Sequence, residues 1–71
     1  MKYTVILERE VDGGYHAFVP AFPGCHSQGD TLEEAVENIR EAMGAYVESL
    51  KAAGEPMPDE DIYVKPVEVA A

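Results

Sequence analysis

The chain is poor in several things, and each scarcity excludes something. It has one cysteine, Cys25, so no internal disulfide can form, and a reducing compartment, the cytoplasm, is expected. It has 5 Lys and Arg against 14 Asp and Glu, a net charge of −9. Phosphate contacts need clustered Lys and Arg, so that balance argues against a nucleic-acid surface and against anionic membranes. No apolar run reaches the length of a membrane span or a signal-peptide core. At 71 residues there is room for one small domain but hardly for a large enclosed active site as well as a full core. The excess of acid suits a basic partner, or simple solvation.

What is present is dominated by one amphipathic stretch. Leu32, Ala35, Val36, Ile39, Met43, Tyr46, Val47 and Leu50 recur at three- and four-residue steps, the spacing of a single apolar stripe on an α-helix. Thr31 with Glu34 fits a capping box, and Asp30 with Glu33 repeats the pattern one residue earlier. Gly54, Pro56 and Pro58 stop the helix, which is read as residues 32–53.

The flanking segments must supply the surface it packs on. Lys2 to Glu10 reads as a strand with apolar groups on both faces, Asp12-Gly13-Gly14 as a turn, and Tyr15 to Val19 as a second, antiparallel strand. Pro20-Ala21-Phe22-Pro23-Gly24-Cys25 is a stiff loop, and His26-Ser27-Gln28 a short third strand. After the helix, Glu55 to Asp61 is a connector, and Ile62-Tyr63-Val64-Lys65-Pro66-Val67 reads as a last strand, which lies at a sheet edge or sets Pro66 where its N–H would face outward. The expected fold is α+β, in the order β-β-β-α-β. A right-handed crossover gives a four-stranded mixed sheet of order 3-2-1-4, with the first strand central and one helix on one face. A single helix covers one face only, yet both faces carry apolar side chains. The uncovered face therefore predicts a homo-oligomer, a partner, or both.

Candidate chemistry is thin. Cys25-His26 pairs a nucleophile with a base, but neighbours on a strand point to opposite faces. His16 and His26 lie on adjacent strands and would need a third ligand. Glu8 or Glu10, Glu37 or Glu41, and Glu68 mimic the layout of a two-metal nuclease. However, Glu33, Glu34, Glu37, Glu41 and Glu48 read as the solvated helix face, partly paired with Arg40 and Lys51. No glycine run opens a helix as a phosphate cradle does, and the acids around Gly29-Asp30 would repel a phosphate. The expectation is no catalytic residue, no metal and no cofactor. A residual metal-dependent nucleic-acid hydrolase and a non-catalytic oligomeric scaffold are the two functions these residues by themselves allow.

Asp12-Gly13-Gly14-Tyr15-His16-Ala17-Phe18-Val19-Pro20-Ala21-Phe22-Pro23-Gly24-Cys25, followed by Ser27, Gly29-Asp30-Thr31 and Glu33-Glu34-Ala35, resembles the HicB antitoxin family, and the resemblance runs from Tyr3 to about Val67. It implies a degraded, partial ribonuclease H-like domain without activity. It also implies an antitoxin of a type II toxin–antitoxin module that binds and masks HicA, a small basic mRNA-cleaving toxin. Many relatives carry a C-terminal ribbon-helix-helix or helix-turn-helix domain, and no such segment is seen here. The expectation is thus one HicB-like domain over 1–71, of the N-terminal type, with no direct nucleic-acid binding. The first candidate for the toxin contact is the loop Pro20, Phe22, Pro23, Gly24 and Cys25, because a stiff apolar loop binds at low entropic cost. The other reading of these residues is that they shape the corner and pack Phe22 into the core.

Overall fold

The computed structural model describes residues 1–71. Its elements are β1 (Ile6–Arg9), β2 (Tyr15–Phe18), β3 (His26–Gly29) and α1 (Leu32–Ala53). The sheet has three strands in the order β1-β2-β3, all antiparallel, with β2 in the middle. This corrects the expectation of a four-stranded mixed sheet of order 3-2-1-4 with the first strand central. Residues 62–67 lie in no strand, and Tyr63, Val64 and Val67 stand 90%, 70% and 75% exposed. The β-branched composition of that segment gives it strand propensity. Propensity alone stabilises no strand without a neighbour to bond and a surface to bury against.

The first strand is also shorter than the predicted Lys2 to Glu10. Its register pairs Ile6 with Phe18 and Arg9 with Tyr15. Extended by two residues, that register sets Thr4 opposite Pro20, which has no N–H to continue the ladder.

Residues 32–53 are helical, as the spacing predicts. Thr31 Oγ1 accepts from the Glu34 N–H at 3.1 Å, and Glu34 Oε1 accepts from the Asp30 N–H at 2.9 Å. The cap is therefore reciprocal, with the returning bond reaching one residue beyond the cap residue. At the other end Gly54 takes a left-handed φ of 68°, and its N–H and that of Glu55 close onto the Lys51 and Leu50 carbonyls.

The helix lies over β2 and β3. Its first turn sits so close to the end of β3 that a Cβ on Gly29 would come within 2.5 Å of the Ala35 nitrogen. Glycine at position 29 is what permits that approach. Ala35 and Ile39 are the buried helix residues, and Ile39 joins Ala17, Val19, Phe22 and Cys25 in the core. Leu7, Ala17 and Ser27 share the helix side in register, which leaves Ile6, Phe18 and His26 as a row on the opposite, uncovered side.

Candidate functional site: the uncovered sheet face and the proline corner

The corner between β2 and β3 is closed by its own backbone. The Val19 N–H donates to the Cys25 carbonyl at 3.1 Å, the Phe22 N–H to Val19 at 3.0 Å, and the Cys25 N–H to Phe22 at 3.0 Å. Phe22 then plugs the loop into the body. Its ring lies between Tyr3 and Tyr46, each with its centroid 4.5 Å away, and it is 1% exposed. Both rings sit within the distance at which aromatic pairs gain beyond area alone.

Of the five loop residues named from the sequence, Phe22 and Cys25 are buried, Pro20 is half-buried, and Pro23 and Gly24 are exposed. The corner thus combines a buried half that fixes its shape with an exposed half that other molecules can touch. Beside the exposed half runs a shallow groove of about 440 Å³, continued along the sheet by Phe18, His16 and His26. The two imidazoles are 5.6 Å apart between centroids, and His16 lies 5.9 Å from the Phe18 ring. The groove is mostly carbon with nitrogen at its rim. Phe18 is the member that reading the loop as a unit overlooks. The period-two alternation of the strand and its pairing to Ile6 would have placed it there.

At the other end of the sheet, where the β1–β2 turn meets the start of α1, lies a wider polar bowl of about 640 Å³. Glu10, Asp12, Asp30 and Glu34 line it, and no Lys or Arg does. An exposed bowl of one sign raises the local concentration of cations and basic surfaces.

The chemical alternatives fare differently. Cys25 packs with Val19 and Phe22, while His26 stands exposed, so the two side chains diverge across the sheet. Burial pushes the Cys25 thiol above its ordinary value, away from the thiolate a nucleophile needs. His16 and His26 do meet, but no group of three or more His, Cys, Asp or Glu side chains converges as a metal site requires. The nuclease-like carboxylates are dispersed. Glu8 faces His16 at 3.8 Å, Glu37 pairs with Arg40 at 3.2 Å, and Glu68 lies in the irregular C-terminal segment. No helix of the chain is long and apolar enough to cross a membrane.

Comparison with known proteins agrees with this picture. The family model described as the HicB-like antitoxin of bacterial toxin–antitoxin systems matches residues 3–68. A UPF0150 protein of Synechocystis is 61% identical over 68 residues, covering 96% of this chain and 86% of the relative. A UPF0150 protein of Thermoplasma acidophilum is 55% identical over 58 residues, covering 82% of this chain and 84% of the relative. Among solved structures, the N-terminal domain of the Burkholderia pseudomallei antitoxin HicB is similar with a TM-score of 0.72 at 32% identity. That match covers 93% of this chain and 74% of that one. By sequence over nearly its whole length and by fold, the chain belongs to the HicB-like antitoxin family.

Proposed function

We propose that this chain neutralises a small basic HicA-like, mRNA-cleaving toxin by binding and masking it, with no catalysis of its own, and that it does so in the cytoplasm as a homo-oligomer. Its contact surface is the corner formed by Pro20, Pro23 and Gly24 together with Phe18 and His26. Phe22 and Cys25 belong to that site as the residues that hold its shape. The observation that carries the reading is the apolar groove on the face the helix leaves bare, set in a chain of net charge −9. Apolar area held by a rigid loop supplies affinity with little ordering cost. The acidic bowl at the far end of the sheet speeds encounter with a basic partner, a contribution that salt screens. A single unpaired thiol fits a reducing compartment.

The test is titration of this chain into the product of a small basic reading frame adjacent to its own gene, reading both the complex by calorimetry and residual mRNA cleavage. The expected result is stoichiometric loss of cleavage. Phe18→Asp should weaken binding by at least ~100-fold, about the 3 kcal/mol range of an interface hot spot, while leaving the helical circular dichroism intact. Undiminished cleavage at saturating wild-type chain would refute the toxin-masking reading.

A further inference from the structure

The C-terminal segment is built like a strand and has nothing to pair with. Ile62 to Val67 carries no carboxylate, although the chain has 14, and its only charge is Lys65. Tyr63, Val64, Val67 and Val69 are all largely exposed. The segment is tethered just before it begins: the Thr4 N–H and Oγ1 both bond the Glu60 carboxylate, and Tyr3 Oη donates to the Pro58 carbonyl at 2.7 Å. Beyond that tether Ile62 is still half-buried, and from Tyr63 onward the chain is exposed. The radius of gyration is 14.1 Å, against about 11 Å for a closely packed chain of this length.

The body offers a matching gap. β1 and β3 are the edges of the sheet, and they differ. On β3, the Val19–Cys25 bond sets the parity that turns Gln28 outward, and the Gln28 carbonyl is already taken by Asn38 Nδ2 at 2.8 Å. On β1, the Glu10 N–H bonds the Gly14 carbonyl, so Glu10 and Glu8 face β2 while Leu7 and Arg9 turn their main-chain groups outward. Because the helix lies over β2 and β3, it does not cover this edge. Between the start of β1 and the helix opens a groove of about 420 Å³, lined largely by Tyr3, Val5, Val36, Ile39 and Met43.

We infer that two copies of this chain exchange their C-terminal segments, each laying Ile62–Val67 as an added strand on the free β1 edge of the other, with alternate side chains over the Tyr3–Met43 groove. An apolar tail and an open edge that borders an apolar groove, both on one chain, are self-complementary, and reciprocal exchange closes them in a two-fold pair. Pro66 fits that role, since on an added edge strand its missing N–H can face solvent. The inference rests on the self-association part of the proposed function and not on toxin binding.

The experiment is sedimentation of the full chain at micromolar concentration, combined with amide hydrogen exchange resolved by residue. The exchange predicts twice the chain mass of 7.7 kDa, with the Leu7 and Arg9 amides protected at least ~100-fold and losing that protection on dilution to monomer. The double variant Val64→Asp/Val67→Asp lies outside the core and should run at the monomer mass with the helical signal retained. Arg9→Pro, which removes an outward N–H from the receiving edge, should do the same. A wild-type monomer would overturn both this inference and self-association. A dimer that survives Val64→Asp/Val67→Asp, or that leaves Leu7 and Arg9 exchanging freely, would overturn the strand exchange alone. Protected Leu7 and Arg9 in a monomer would mean the tail folds onto its own sheet, and would equally overturn it.

Discussion

Two proline-bearing segments of this chain, the corner at residues 20–25 and the C-terminal stretch at 55–71, end up in opposite states. The corner is closed by three backbone hydrogen bonds and anchored by Phe22 between two tyrosines. The C-terminal stretch has the richer strand composition, yet beyond Glu60 its large apolar side chains stand mostly in solvent. The difference is in what each segment finds to bury against. The corner's aromatic reaches a slot between the start of the sheet and the middle of the helix. The tail is held by Met57 against the core and by the bonds to Tyr3 and Thr4, all made before its apolar run begins. Stiffness and propensity prepare a segment, and a partner surface decides whether it is ordered.

The strongest test of that contrast is Phe22→Ala. Only six residues of the chain are buried, and Phe22 is one of the two largest of them. Its truncation should cost ~3–5 kcal/mol, a large share of what a small domain has, and collapse the cooperative thermal transition seen by circular dichroism. A variant that keeps the wild-type melt would show that the corner is as loosely held as the tail.

A smaller effect is expected at Cys25. Cys25→Ser puts a hydroxyl where a thiol packs against Val19 and Phe22, at a cost of about 1–3 kcal/mol if it finds no partner, read as a lower denaturant midpoint with unchanged slope. The wild-type thiol adds a sign to check. Its folded pKa is raised by burial, so above the ordinary thiol value of about 8.5 the unfolded chain holds fewer protons than the folded one. Stability should therefore fall as pH rises past that point and be flat for this group below it. That contribution should be absent in Cys25→Ser.

The smallest global effect belongs to the tether. Glu60→Ala removes both bonds to Thr4, but these are exposed, and the melting temperature should stay within about 0.5 kcal/mol equivalent of wild type. Proteolysis after residue 58 should quicken nonetheless. A large loss of stability there would erase the distinction between the two regions.

The helix, its caps and the antiparallel order of the first three strands were legible in the residues, because they rest on local periodicity and turn chemistry. Thr31, Glu34 and Gly54 act within a few residues of themselves. Ile62–Val67 carries the same kind of local signal for a fourth strand, but a strand is defined by its neighbour, and composition does not name one. The corner was found from its prolines, whereas its division into a buried and an exposed half depended on Tyr3 and Tyr46, far off in sequence. Alternation puts Phe18 on the face of β2 opposite Ala17, but which of the two faces the helix leaves bare is decided by the packing of α1.

By itself, then, the sequence determined the amphipathic helix, the two hairpin-linked strands that follow from the Asp12-Gly13-Gly14 turn, the acidic character and the family, all consequences of short-range pattern and composition. Only the tertiary structure decided that β2 rather than β1 is central, that Phe22 is core while Pro23 is surface, and that one sheet edge is capped by Asn38 while the other stays open. Those outcomes depend on which distant side chain meets a given surface, and a contact between residues ten to twenty-four positions apart, such as Gln28 with Asn38 or Phe22 with Tyr46, leaves no mark on the local pattern of either.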